Sequence, residues 1–224
     1  MGAPTATVGA TTYQRLKHDI IFGVLKPGAK LKLERLRVDY AASLSTLRET
    51  LNRLASEGFV DAPAQRGFLV TPVSPEDLEE IADLRVLLEC DALERSLANG
   101  DTEWEGRLVA AHHKLHRIET EIGAGDLSKT ELWKRYDWEF HLALIDACRS
   151  RNLLSLHATL YDKYLRYQML VLTNRGAAAV AEHQEMLEAA LARDATTAKA
   201  VLKAHIVNGL DHTLRAMTGS DPAP

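Results

Sequence analysis

The chain has 224 residues, 46% of them hydrophobic and 26% charged, with two cysteines and a formal net charge of -4. That composition excludes a disordered or disulfide-stapled chain and suits one large globular domain or two smaller ones. No apolar run approaches the ~20 residues of a membrane helix. The N-terminal MGAPTATVGATT has neither the basic segment nor the apolar core of a signal peptide, so a cytoplasmic protein without membrane contact is expected.

The charge is unevenly spread. Residues 11–72 carry 10 Lys and Arg against 6 Asp and Glu, a balance of +4, while the remainder carries 17 against 25, a balance of -8. A basic N-terminal module on an acidic body suits contact with nucleic acid at one end.

In chain order, residues 1–11 read as a flexible arm. Tyr13–Phe22 forms an amphipathic helix with Tyr13, Leu16, Ile20 and Ile21 on one face, closed by Gly23. Lys26-Pro27-Gly28 is a turn, and Leu31 and Leu33 alternate with lysines as in a short strand or extended lead-in. Leu36, Tyr40 and Ala41 give the next helix its apolar face. Ser43 is an N-cap candidate, because its hydroxyl can take a free backbone N–H in the first turn. Leu47, Leu51 and Leu54 then recur at helical spacing, with Ser45, Thr46, Arg48, Asn52 and Arg53 facing outward. Gly58 ends that helix. Phe59–Val60 and Phe68–Val70 flank Pro63-Ala64-Gln65-Arg66-Gly67 as in a hairpin. Two readings fit residues 12–72: a small α+β subdomain whose polar residues face water, or a winged helix-turn-helix with the Ser45–Arg53 helix in a major groove and Arg66–Gly67 at a wing tip.

Thr71-Pro72-Val73-Ser74-Pro75 is a stiff connector, since each proline restricts itself and its predecessor. Ser74-Pro75-Glu76-Asp77 also reads as a helix start, which places a domain boundary near Val73. Residues 73–217 then read as helices over 75–98, 103–122, 130–149, 152–173, 177–193 and 195–217, with 218–224 a flexible tail. Six helices with short connections and no strand signal predict an antiparallel bundle. The fold class is mainly α, a winged helix-turn-helix followed by an all-helical bundle.

Three bundle helices carry chemistry on their apolar stripes. One has Trp133, Asp137, Phe140, His141, Leu144 and Cys148; the second Val180, His183, Leu187 and Ala190; the third Ala198, Val201, Leu202, His205 and Gly209. A buried charge is costly unless paired or bound to a cation. Each histidine alone is satisfied by a carbonyl or carboxylate partner. Together, Asp137, His141, His183 and His205 suit a divalent ion such as Zn²⁺, Ni²⁺ or Mn²⁺ with coordination positions left open. Arg85 falls on the stripe Leu78, Ile81, Arg85, Leu88, Ala92 and points inward, toward either a salt bridge with Glu89 or a carboxylate ligand. Arg166 is a second such candidate, with Asp162 as its plain surface partner. His112, His113 and His116 sit at the margin of a stripe of Val109, Leu115 and Ile118, and His157 is isolated. Cys90 and Cys148 read as buried thiols.

Ser43, Leu47-Arg48-Glu49, Leu51, Leu54 and Glu57-Gly58-Phe59-Val60, followed by the glycine-containing hairpin, resemble the signature of the GntR family of bacterial transcription regulators. The resemblance implies the winged helix-turn-helix, with Ser43, Ser45, Thr46, Arg48, Arg53, Arg66 and Gly67 at the DNA. The family usually has arginine and proline where this chain has Leu44 and Thr46, so its operator should differ from the commonest one. Asp137 with His141, Glu182-His183 and Ala204-His205 resemble the ligand pattern of the FCD effector domain of the FadR-like subfamily, and Leu84-Arg85 with Glu89 resembles the Arg…Glu signature of its first helix. This implies a homodimer on a palindromic operator, probed by a metal-anchored small carboxylate with Arg85 and Arg166 as clamp candidates. The nearest branch senses dicarboxylates such as glutarate, and the expected regulator is a repressor released by its effector. The alternatives are a metal-dependent enzyme in which the Asp/His₃ site activates water, and a regulator whose metal is purely structural.

Overall fold

The computed structural model describes residues 8–63, 67–123, 126–171 and 175–219. It divides into two compact units, the first of residues up to Pro75 together with Leu165–Leu170, the second of Glu76–Tyr164 with the residues from Val171 onward.

In the first unit three helices, α1 (Val8–Ile21), α2 (Leu33–Asp39) and α3 (Leu44–Ser56), pack with strands β1 (Lys30–Leu31), β2 (Val60–Asp61) and β3 (Phe68–Val70). The helices close on Leu16, Ile20, Leu47, Leu51, Leu54 and Phe59, all fully buried. Truncating one such leucine to alanine costs about 2–5 kcal/mol. Residues 8–11, read as part of the arm, are helical instead. No proline interrupts Val8 to Thr12, and Thr12 is buried, so packing outweighs the poor helix propensity of Gly9. The turn between α2 and α3 also differs in detail: Ala41 is exposed at φ 49, and Ala42 takes the buried place. Gly58 has φ 79, a left-handed conformation that costs other residues a Cβ clash, and the chain reverses there into β2. The expected hairpin forms with Val60 opposite Val70, and β1 joins its other side with Lys30 opposite Leu69, so the sheet order is β1-β3-β2. Leu33, grouped by its alternation with a strand, instead opens α2.

The second unit is built on α4 (Pro75–Asn99), α5 (Thr102–Gly123), α6 (Thr130–Ile145), α7 (Arg151–Val171), α8 (Ala177–Leu191) and α9 (Ala195–Thr218), with one 3₁₀ turn at Leu127–Lys129. Among the described residues it contains no strand. Proline opens α4 with Glu76 and Asp77 in its first turn, where the helix dipole favours acids. Leu93, Leu108, Leu115, Phe140, Leu144, Met186 and Leu202 form a core without solvent exposure. Helix α6 stops at Ile145 rather than continuing to residue 149. Cys148 closes a turn on the Ile145 carbonyl, and Arg149 adopts φ 59. The buried face of α5 is Leu108, Ala111, Leu115, Ile118 and Ile122, whereas Val109 is 45% exposed. That rotation turns His112 and Glu119 inward. Arg193 pins a corner of the bundle, donating to the carbonyls of Leu97 and Gly100 at the end of α4 and to Glu105 at the start of α5. Both cysteines are free. No helix among the described residues is long and apolar enough to cross a membrane.

Candidate functional site

In the first unit, Ser43 caps α3: its Oγ accepts from the Thr46 backbone N–H at 3.1 Å. The Ser45 and Thr46 hydroxyls lie 2.8 and 2.9 Å from the same oxygen, so three of the expected DNA-facing side chains form one cluster at the helix start. Arg48 is exposed on the outer face of α3. Arg53 is only partly outward, because its Nε donates to Glu57 and its guanidinium lies 3.7 Å above the Tyr13 ring. Gly67, at φ 77, leads into β3, while Arg66 lies outside the described residues. Arg15, Lys26, Lys30, Lys32 and Arg35 line a surface cavity of the same unit, a basic patch that the sequence pattern did not single out.

In the second unit, α6, α8 and α9 bring His141, His183 and His205 together, with ligand atoms all within 4.8 Å of one another. The Asp137 Oδ1 lies 3.5 Å from His183 Nε2, and its Oδ2 accepts from the Tyr161 hydroxyl at 2.5 Å. The three expected histidines therefore meet in one place, with Asp137 beside His183. Arg85 is also fully buried in this unit. Its Nε donates to Glu89 at 2.6 Å, its guanidinium lies over the rings of Tyr161 and Tyr164 at 4.8 and 4.4 Å, and its NH2 has no hydrogen-bond partner among the described residues. Arg166 belongs to the first unit, where it is buried and donates to the Thr71 carbonyl.

The histidines are oriented by three glutamates that sequence reading left without a role at the metal. His183 Nδ1 donates to Glu119 of α5 at 2.7 Å, His205 Nδ1 to Glu182 of α8 at 2.7 Å, and His141 Nδ1 to Glu89 of α4 at 3.3 Å. The Arg175 NH2 stands 2.9 Å from His205 Nδ1, but its fork is committed to Glu182 through NH1 at 3.0 Å and NH2 at 2.6 Å. An ionised carboxylate cannot donate, so the Nδ1–H of His205 goes to Glu182. This second layer puts the proton on Nδ1 and leaves each Nε2 with a lone pair, the form a metal takes. His183 Nε2 has no hydrogen-bond partner among the described residues.

The electrostatics point the same way. Burial pushes His141 and His205 below the usual histidine range, keeping the rings neutral. Burial alone would raise the pKa of Asp137, but the charge of the buried Lys134, with the hydrogen bond from Tyr161, outweighs it and holds its carboxyl well below the usual range. A neutral imidazole set beside an ionised carboxylate is a donor set for a borderline divalent cation. The residues fit such an ion.

Three further groups stand close by. His157 is fully buried, not isolated: its ring stacks on Trp138 at 5.3 Å and its Nε2 lies 3.1 Å from Glu89 Oε1. Its spacing of four and seven from Tyr161 and Tyr164 was the available signal. Glu119 was detectable as the only acid on the inward face of α5, one residue after Ile118. His112, read as marginal, is buried against Phe140, and burial lowers its pKa to about 4.

A capped helix presented beside a three-stranded sheet, in a chain that also carries a helical bundle gathering histidines and carboxylates, has the architecture of a winged helix-turn-helix module with a helical companion unit. Residues 9–70 match the bacterial regulatory proteins of the gntR family, and residues 80–208 match the FCD domain. The chain belongs to the GntR family, and within it to the regulators that carry an FCD domain. It is 38% identical over 201 residues to the HTH-type transcriptional regulator BphR of Paraburkholderia xenovorans, covering 89% of this chain and 82% of that one. It is 32% identical over 217 residues to the HTH-type transcriptional repressor GlaR of Escherichia coli, covering 93% and 96%. Its fold is similar to that of E. coli McbR/YncC, with a TM-score of 0.79 at 20% identity over 95% of this chain and 100% of that one. The protein is thus a DNA-binding transcription regulator.

Proposed function

We propose that the second unit holds a divalent metal on Asp137, His141, His183 and His205, and that a small carboxylate bound beside it controls operator binding by a homodimer. The observation that carries this reading is the glutamate that holds the Nδ1 of each of three histidines whose ligand atoms lie within 4.8 Å of one another. The metal supplies a Lewis-acid anchor for carboxylate oxygens. Arg85 is the protein's own clamp, because its Nε is occupied by Glu89 while its NH2 is buried and unpartnered among the described residues, and a guanidinium edge suits a carboxylate. A four-to-six-carbon dicarboxylate such as glutarate is the class this pairing of anchor and arginine favours. Ser43, Ser45, Thr46, Arg48 and the hairpin around Arg66–Gly67 meet the DNA, with Arg48 the foremost base or phosphate contact. The regulator acts as a repressor: an effector that binds the released state better shifts the population away from DNA.

The test is a thermal-shift screen of metal-loaded protein against three-to-six-carbon mono- and dicarboxylates, repeated on His183→Ala and paired with a gel-shift assay. A rise in Tm with one acid, absent in the mutant, together with loss of the DNA complex, is expected. Metal-loaded protein that responds to no acid would refute the effector pocket.

A further inference from the structure

Most described cations of the first unit are already committed. Lys17 and Arg53 pair with Glu57, Arg35 with Asp39 and Arg37 with Glu34, while Arg15 donates to the Asp39 carbonyl. Lys26, Lys30, Lys32 and Arg48 are exposed and have no ion-pair or hydrogen-bond partner among the described residues. Arg48 stands on α3, whereas the three lysines line the surface cavity between α1, β1 and α2. Lys30 and Lys32 flank the buried Leu31, so they share the exposed side of the β1 segment. β1 runs antiparallel to β3, with Lys30 opposite Leu69 and Leu31 opposite Phe68. One residue further, Lys32 comes level with Gly67 of the hairpin. Lys26 belongs to the turn at the other end of the strand, beyond Gly28, whose N–H donates to the Val70 carbonyl. The fold gains nothing from a lysine at position 32. It precedes α2, makes no capping hydrogen bond, and its charge opposes the helix dipole.

We propose that Lys30 and Lys32 form a second, sequence-independent contact with DNA, gripping phosphates beside the groove that α3 enters. Its placement beside α3 rests on the reading that α3 and the hairpin meet DNA. Duplex DNA carries a negative charge about every 1.7 Å of its axis, and neutralising phosphates supplies much of a regulator's affinity. Helix α3 brings little of that charge. Arg53 is held by Glu57, which leaves Arg48 as its uncommitted cation. The β1 segment brings two, ~6.6 Å apart on one face, so each lysine can take its own phosphate. Phosphate contacts fix affinity and register, whereas base contacts fix sequence. The two tasks therefore fall on different elements, β1 and α3.

The experiment is fluorescence anisotropy of the full chain on a labelled duplex of mixed sequence, with KCl stepped from about 50 to 200 mM. Wild type is compared with Lys26→Ala, Lys30→Ala, Lys32→Ala and Lys32→Arg, each shown folded by circular dichroism. The plot of log affinity against log salt should flatten by about 0.9 for each lysine removed from each bound chain. That flattening is expected in Lys30→Ala and Lys32→Ala, while Lys26→Ala and Lys32→Arg keep the wild-type slope. An unchanged slope in Lys30→Ala or Lys32→Ala overturns the proposal. So does an equal flattening in Lys26→Ala, which would report net charge instead of a contact. Calorimetric titration with inorganic pyrophosphate is the second arm. Saturable binding lost in Lys26→Ala and Lys32→Ala alike would assign these lysines to a small anion in the cavity and also overturn it. Arg48→Ala is measured alongside. A wild-type slope there, with both lysine slopes reduced, would fail the α3 reading and leave the lysine contact standing.

Discussion

His183 Nδ1 donates to Glu119 Oε1 at 2.7 Å, and both side chains are buried. A histidine held this way has only its Nε2 to offer, and that atom faces the Asp137 carboxylate at 3.5 Å. Removing the outer carboxylate should loosen the ring and mis-set its tautomer. Glu119→Gln is therefore expected to weaken zinc binding about 10–100-fold, the usual effect of losing such a partner. Competition against a fluorescent chelator measures it, and an unchanged zinc affinity in folded Glu119→Gln would rule out the orienting role.

Arg48 and Arg53 stand on the same helix but should behave differently. Arg48 is exposed, whereas Arg53 bonds Glu57 and covers the Tyr13 ring. Arg48→Ala should abolish specific operator binding with Tm unchanged. Arg53→Ala should also lower stability, by about 0.5–1 kcal/mol given its partial exposure. Gel shifts and urea denaturation on the two variants separate the roles. Retained operator affinity in Arg48→Ala would remove α3 from the base-reading position.

The stability of the first unit should fall in acid through Glu57. Burial raises the pKa of this carboxyl, but hydrogen bonds from Tyr13 at 2.7 Å and Lys17 at 3.0 Å, with the Lys17 charge, outweigh it and hold it below the ordinary value of 4.5. In the unfolded chain the group takes up its proton first as pH drops. Its contribution is therefore full above the unfolded pKa and is lost as pH falls through the lower folded one. Urea midpoints measured from about pH 6 to 3 should drop more steeply for wild type than for Glu57→Gln. Parallel profiles would show that the cluster does not couple to folding.

Gly209, in the interior of α9, is a position where helix propensity and packing disagree. Alanine there gains about 1 kcal/mol of propensity. Its Cβ, however, would sit 2.5 Å from the Tyr164 hydroxyl, and the Tyr164 ring lies 4.4 Å from the Arg85 guanidinium. The helix should lose: Gly209→Ala is expected to destabilise by about 1–3 kcal/mol, the cost of overpacking. A more stable variant in urea would show that Tyr164 moves aside freely.

Local pattern went far with this chain. The capped α3, the Gly58 reversal, the proline-led start of α4 and the inward stripes of α6, α8 and α9 are short-range features. Spacing of 3.6 residues per turn and the special conformations of Ser, Pro and Gly write them directly into the amino-acid order. The same arithmetic puts Asp137, His141, His183 and His205 on apolar stripes, because a titratable group at core spacing announces itself. What it missed was rotational. A few tens of degrees about the α5 axis separate the expected Val109 face from the real one, and that difference decides whether Glu119 and His112 meet water or the core.

By itself, the sequence determined the main elements, their caps, the basic and acidic halves and the inward stripes of α6, α8 and α9, since each depends on neighbours a few residues away. Only the tertiary structure decided the partners. Glu89, Glu119 and Glu182 stand 52, 64 and 23 residues from the histidines they hold. Arg166 donates to the Thr71 carbonyl across 95 residues. Such pairings depend on how helices stack, and a buried polar group is satisfied by whatever the packing brings within 3 Å or so, not by its place in the chain.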